Sequence, residues 1–219
     1  MDIQTKLTSF AMMGATWVMW LLVGLSVGGI AVALERALTL LLRRDNIRKL
    51  KTQVLALLRR GDVDAARERL ERSRSFEAQV VVAGLQDPGD GSASAEERMG
   101  GAAQIAKLRM EKRLAFLGTL GANAPFVGLL GTVIGIIRAF HSLNDSAGKV
   151  TAGLMSEVGE ALVATAIGIL VALPAIAFFN FFQRIIKGRL ARADAFGKEV
   201  LAHLKAEKND EITPLRRTA

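Results

Sequence analysis

Three stretches of this chain contain no charged residue: Leu7–Leu34, Leu114–Ile137 and Ala161–Gln183, with 28, 24 and 23 residues. All 50 charged side chains lie outside them. A helix needs about 20 predominantly apolar residues to cross ~30 Å of hydrocarbon. A surface helix of a soluble domain is apolar on one stripe only, and a soluble core helix has no reason to be apolar on every face for that length. Hydrocarbon offers the backbone no hydrogen-bonding partner, which leaves helices as the spanning structure for runs of this length. The chain therefore reads as an all-α membrane protein with three transmembrane helices. Its totals, 51% hydrophobic and 23% charged, would pass for a soluble domain; the segregation of charge decides the class.

The formal charge of +8 is also segregated. Residues 43–113 are net +5, residues 184–219 net +4, and the remainder −1. With three alternating spans both basic segments fall on one side, and the excess of Lys and Arg marks that side as cytoplasmic. The predicted topology is N-out, C-in, and the basic character is a topology signal rather than a nucleic-acid footprint. The first run exceeds the ~7–15 residues of a signal-peptide core, and no small-residue cleavage site follows it. Trp17 and Trp20 sit near its outer end, where indole rings favour the interface, so it reads as an anchor. The chain has no cysteine and two histidines, His141 and His203. Thiolate metal sites and cysteine nucleophiles are excluded, and no phosphate-binding loop, zinc-binding helix or nucleophile elbow is present. The chain reads as non-enzymatic, without a metal or organic cofactor.

The organisation that follows is residues 1–42 for the N-terminus and first span, 43–113 for a cytoplasmic helical domain, and 114–140 for the second span. Residues 141–159 form an outer loop, 160–183 the third span, and 184–219 a cytoplasmic helical tail. In the cytoplasmic domain Ile47, Leu50, Val54, Leu57 and Leu58 recur at helical spacing. Gly61 ends that helix, and Asp62 is placed to cap a second helix over 63–74. Asp87 to Ser92 carries turn chemistry. From Ala95 a long helix is expected to run into the second span. The third span is expected to continue inward to about Lys208, projecting ~35–40 Å at ~1.5 Å per residue.

The second span carries Gly118, Gly121, Gly128, Gly131 and Gly135. Gly121, Gly128 and Gly135 are seven apart, with Ala124 and Gly131 three places after the first two. Such a stripe lets helix backbones approach closely in lipid, either within one subunit or between subunits. Pro125 and Pro174 lie inside the second and third spans and deprive the carbonyls of Gly121 and Leu170 of their helical donors. Those carbonyls need other partners in lipid. Two such turns side by side would make a wet or adjustable interface; simple kinks are the alternative.

Glu160 immediately precedes 23 uncharged positions. Within the bilayer a carboxylate faces a water path or a partner. At the interface it would sit near a helix N-terminus, where the dipole favours an anion. At 100° per residue Ala164, Ile167, Val171 and Pro174 share its face, a small apolar surface suited to a narrow lumen. Thr132 and Thr165 can hold water or relay a proton without carrying charge, although buried threonines commonly bond their own helix. Thr165 lies ~140° around the helix from Glu160, so it is expected to face a neighbouring helix near Thr132. Arg138 ends the second span on the outer side. It either snorkels or contacts an acidic residue of a partner protein. Glu35 and Arg36 read as an ion pair at the inner end of the first span.

Ala122-Asn123-Ala124-Pro125-Phe126-Val127-Gly128-Leu129-Leu130-Gly131-Thr132-Val133-Ile134-Gly135 and Gly159-Glu160-Ala161-Leu162-Val163-Ala164-Thr165-Ala166-Ile167-Gly168 resemble the signature of the MotA/TolQ/ExbB proton-channel family. Three spans with a large loop after the first are similar to its ExbB/TolQ branch. The resemblance implies a multi-pass subunit of the bacterial inner membrane that draws on proton motive force, with protons as the coupling ion. It implies a homopentamer around the membrane helices of two ExbD/TolR-like single-span partners, with the second and third spans lining the centre. The partner would supply an aspartate as main proton carrier, and this chain would supply Thr132, Thr165 and Glu160 as polar lining. The work delivered would be TonB-type import, Tol-type envelope maintenance or gliding motility. A membrane scaffold that holds partner helices without moving protons would use the same glycine stripe.

Overall fold

The computed structural model describes residues 14–42, 45–145 and 149–217. Residues 7–13 of the first apolar run and the Arg43–Arg44 pair lie outside them. Seven α-helices are described: α1 (Thr16–Leu42), α2 (Ile47–Leu58), α3 (Val63–Glu71), α4 (Phe76–Gly84), α5 (Gly91–Glu111), α6 (Leu114–Asp145) and α7 (Ala152–Arg217), with a 3-10 turn at Pro88–Asp90. No strand occurs among the described residues. Three helices are long and apolar enough to span a membrane: Thr16–Leu40, Leu114–Asp145 and Ala152–Ala206. The all-helical, three-span architecture is therefore present. Contacts divide the chain into two compact units, Met1–Arg36 with Arg113–Phe181, and Ala37–Lys112 with Phe182–Ala219.

In the first unit Val18 and Leu22 of α1, Leu120, Ala124 and Ile134 of α6, and Val171, Ala172 and Ala175 of α7 form one buried cluster. Outside it, Val27, Leu34, Phe126, Leu162, Leu170 and Leu173 expose most or about half of their side chains. In water such a surface would drive aggregation; in lipid it is solvated by acyl chains. The expected Glu35–Arg36 pair forms, at 2.5 Å, and Arg113 joins it at 2.9 Å from the second carboxylate oxygen. Arg36 is buried, so its charge is balanced within the subunit.

Two expectations about helix boundaries are corrected. The helix expected from Ala95 into the second span is interrupted: α5 ends at Glu111, Lys112 is extended (ψ 130°), and Arg113 adopts φ +65°. A β-carbon disfavours that left-handed conformation, so α5 and α6 are separate elements joined by a sharp turn. The connection placed at 141–159 is also shorter, because α6 continues to Asp145 and α7 begins at Ala152. The third span continues as helix past Lys208 to Arg217.

The second unit packs α2–α5 with the later part of α7. Leu50, Val54 and Leu58 of α2, Leu70 of α3, Phe76 and Val81 of α4 and Met110 of α5 are buried, as are Ile186, Phe196 and Val200 of α7. Gly61 adopts φ +74° and closes the turn after α2. The Asp62 carboxylate accepts from the Ala65 amide at 3.0 Å, the cap expected from the sequence. Helix α4 was not anticipated; Ser75 caps it by accepting from the Ala78 amide. Arg189 is 3% exposed, donates to the Leu40 carbonyl at 2.5 Å and lies 5.8 Å over the Phe76 ring. Nearby, Arg192 pairs with the buried Glu77 at 3.5 Å.

Asp45 precedes α2 and takes a hydrogen bond from the Ser73 hydroxyl at 2.7 Å and one from the Asn46 amide at 2.7 Å. The Ser73 bond, against a smaller opposing effect of burial, holds the Asp45 carboxyl below the ordinary aspartate value of 3.8. A carboxyl depressed in the folded state stabilises above its unfolded value, and that contribution disappears as pH falls through the folded one. Ser73→Ala should therefore lower the melting temperature near neutrality and make its decline below roughly pH 4 shallower than in the parent. Thermal unfolding in detergent across that range, parent against variant, measures the difference.

Candidate functional site in the membrane sector

The glycines of α6 meet α7 along one seam. A methyl built on Gly128 would lie 2.8 Å from the Ala164 carbonyl oxygen, 3.0 Å from the Thr165 Cα and 3.2 Å from the Gly168 Cα. The reverse holds for Gly168, whose methyl would fall 2.7 Å from the Ala124 oxygen and 3.0 Å from the Gly128 Cα. Gly131 faces the Ala164 side chain, and Gly135 faces Ala161. The stripe therefore serves packing within the subunit, one of the two uses its spacing allowed. Gly168 is the residue that the heptad pattern did not single out. Its signal was the small-residue spacing from Ala164 to Gly168.

The two proline-bearing turns lie beside one another. A methyl on Gly121 would sit 3.1 Å from the Ile176 amide nitrogen and 3.4 Å from the Ala172 carbonyl oxygen, on either side of Pro174. Helix α6 continues through Pro125, and α7 through Pro174. A cavity of about 60 Å³ adjoins this level, lined by Ser26, Gly29, Leu120, Leu170 and Pro174 among others.

Thr165 reaches across the seam and donates to the Gly128 carbonyl at 3.1 Å. Thr132 donates to the Leu129 carbonyl of its own helix at 2.7 Å. The two hydroxyls thus occupy consecutive carbonyls of one turn of α6. Thr165 faces the neighbouring helix, as its angular distance from Glu160 required.

Glu160 is half-buried in the third turn of α7, eight residues after Ala152, beyond the reach of the helix-end dipole. Its Oε1 accepts a hydrogen bond from the Thr16 hydroxyl at 2.6 Å, which ties it to the first span. The stripe that it shares is only partly covered within this subunit: Ile167 is half-buried and Pro174 exposed. Ala164 is wholly buried and Val171 nearly so, because small side chains are what the glycine backbone of α6 admits. One turn before Glu160, Glu157 accepts from the Ser142 hydroxyl at 3.1 Å and pairs with Arg138 at 3.4 Å. Arg138, considered above as a contact for an acidic residue of a partner, has its counter-charge in its own chain. Thr16, Ser142 and the role of Glu157 were not found in the sequence. Thr16 is 144 positions from Glu160, and only folding brings them together.

A helical membrane sector with a glycine seam, two proline-bearing spans and a carboxylate within the third defines a class of multi-span subunit built for tight helix contact. The model of the MotA/TolQ/ExbB proton channel family matches residues 72–195, more than half of the chain, and the chain belongs to that family. Its relatives place it on the ExbB-like side. The biopolymer transport protein ExbB of Xanthomonas campestris pv. campestris (strain B100) is 40% identical over 92 residues, 42% of this chain and 36% of the relative. That of Neisseria gonorrhoeae is 38% identical over 107 residues, 49% of this chain and 48% of the relative. That of Aquifex aeolicus is 38% identical over 97 residues, 44% of this chain and 65% of the relative. The chain thus spans less than two thirds of the length of each. Three apolar helices and this family make it a multi-pass protein of the inner membrane.

The seam makes a sharp prediction. Gly128→Ala and Gly168→Ala each drive a methyl into backbone on the facing helix, whereas Gly24 has open space around it. The seam variants should lose about 1–3 kcal/mol of stability, the usual penalty for overpacking. Gly24→Ala should leave stability unchanged or raised. Thermal unfolding of the three variants in one detergent distinguishes them.

Proposed function

We propose that the chain is a subunit of a proton-driven membrane motor, oriented N-out and C-in, that works with an ExbD/TolR-like single-span partner. Membership of a proton channel family supports this, as do relatives named for biopolymer transport. The observation that carries it is Glu160, an ionisable group within a membrane helix that accepts a hydrogen bond from a neutral hydroxyl. A carboxylate in that setting is costly unless it serves a path or a partner. In this proposal Glu160, Thr132 and Thr165 form the polar lining of the path and protons are the coupling ion. The assembly is a homopentamer around two partner helices, and the partner's aspartate is the main carrier. The chain itself performs no catalysis and needs no cofactor.

The energetics are adequate. One charge crossing ~100 mV gains ~2.3 kcal/mol, so a force near ~170 mV delivers roughly 4 kcal/mol per proton. Protonation of the partner aspartate opposite Thr132 and Thr165 would bias the partner helix against the close-packed ring. The delivered work is import through a TonB-like protein, Tol-type envelope maintenance or motility. A non-conducting scaffold is favoured by one observation: both threonine hydroxyls are engaged with backbone carbonyls, as purely structural threonines are.

Proton flux into vesicles separates the two. With the partner co-reconstituted, the parent should conduct, and Glu160→Ala and Thr165→Ala should reduce flux by roughly tenfold or more, the order expected for a lost charged or bridging hydrogen bond. Absence of partner-dependent flux in the parent would favour the scaffold. Full flux in both assembled variants would remove these residues from the path.

A further inference from the structure

We propose that Thr16 is a positioning residue for Glu160, so that the first span, read from sequence as an anchor, latches the carboxylate of the third. The inference deepens the proton-path proposal and rests on it for the use to which the released carboxylate is put. Its geometry stands alone: Thr16 Oγ1 donates to Glu160 Oε1 at 2.6 Å. Thr16 is the first residue of α1, so no carbonyl of the same helix lies behind it to capture the hydroxyl. Thr132, inside its helix, is captured in that way.

The two carboxylates of this part of α7 are held differently. Glu157 has a guanidinium and a hydroxyl, both from α6. Among the described residues Glu160 has one neutral hydroxyl, and it comes from a different helix, α1. A charged, two-partner arrangement resists rearrangement, whereas a single neutral hydrogen bond can open and close. Helix α7 cannot turn to carry Glu160 away, because Ala161 and Ala164 are locked against Gly135 and Gly131, and Gly168 against Gly128. Release therefore occurs by rotation about the glutamate side-chain bonds alone. Latched, Glu160 lies against α1; released, it is free to serve the path.

The test uses the full chain in detergent and reads carboxyl accessibility, not conduction. A hydrophobic carbodiimide is applied and modification of Glu160 and Glu157 is followed by peptide mass spectrometry. Thr16→Val keeps the shape and removes the hydroxyl; Thr16→Ser keeps the hydroxyl. Thr16→Val should speed labelling of Glu160 by roughly tenfold, the worth of one hydrogen bond to a charged group, with Glu157 unchanged and Thr16→Ser like the parent. Equal labelling of Glu160 in the parent and Thr16→Val, or no rescue by serine, would overturn the latch. Because the chain has no cysteine, Thr16→Cys with Glu160→Cys supplies a second measurement by a short thiol–thiol cross-linker. Cross-linking within one chain supports the contact, and its absence in a folded double variant overturns it. A parent that labels as expected but conducts nothing with its partner would sink the proton path while leaving the latch standing.

Discussion

Backbone-to-backbone contact between α6 and α7 at Gly128 and Gly168 is the constraint from which the rest of the membrane sector follows. Lipid supplies no hydrophobic drive for helices to associate, so attraction must come from close dispersion contact and a few hydrogen bonds. With no side chain between them, the two helices approach until Thr165 reaches the Gly128 carbonyl. The same approach sets the rotation of α7. Ala161 and Ala164 turn into the seam, and Glu160 is left at its margin, where the start of α1 meets it.

That placement separates two acidic residues that lie within one turn. Glu157 is neutralised by Arg138 and fixed by Ser142, and so behaves as part of the frame. Among the described residues no guanidinium pairs with Glu160, which is held by a hydroxyl from another span. Charge in a membrane is costly in proportion to how poorly it is compensated. The two therefore differ in how fully their charge is compensated. The far end of the first span shows the compensated pattern again, with Glu35 shared between Arg36 and Arg113.

Much of this architecture was legible before folding was considered. Charge exclusion over more than 20 residues has one physical use, so three spans could be read directly from Leu7–Leu34, Leu114–Ile137 and Ala161–Gln183. Gly61 and Asp62 stop one helix and start the next by local chemistry alone, which makes that boundary legible. The turn at Lys112–Arg113 was not legible, because neither residue type signals a left-handed conformation; tertiary packing imposes it. Helix α4 is not legible because Phe76–Gly84 is apolar nearly all round and lacks a one-sided periodicity. At the candidate site, residue types were legible and partners were not. Glu160, Thr165 and the glycines announce themselves, while Thr16 is an ordinary threonine until α1 and α7 are side by side.

The buried Arg189 has a consequence for the order in which the chain can mature. Its guanidinium reaches the Leu40 carbonyl across 149 positions of sequence, beside an aromatic ring contributed by Phe76. Phe182, Ile186, Phe196 and Val200 complete the same apolar interior. During synthesis, which proceeds from the N-terminus, α2–α5 emerge well before these residues exist. Their apolar faces must stay open while two further membrane spans are made. The unit formed by α2–α5 closes only when the end of the chain returns to it, so its assembly reports that the membrane sector has already been translated.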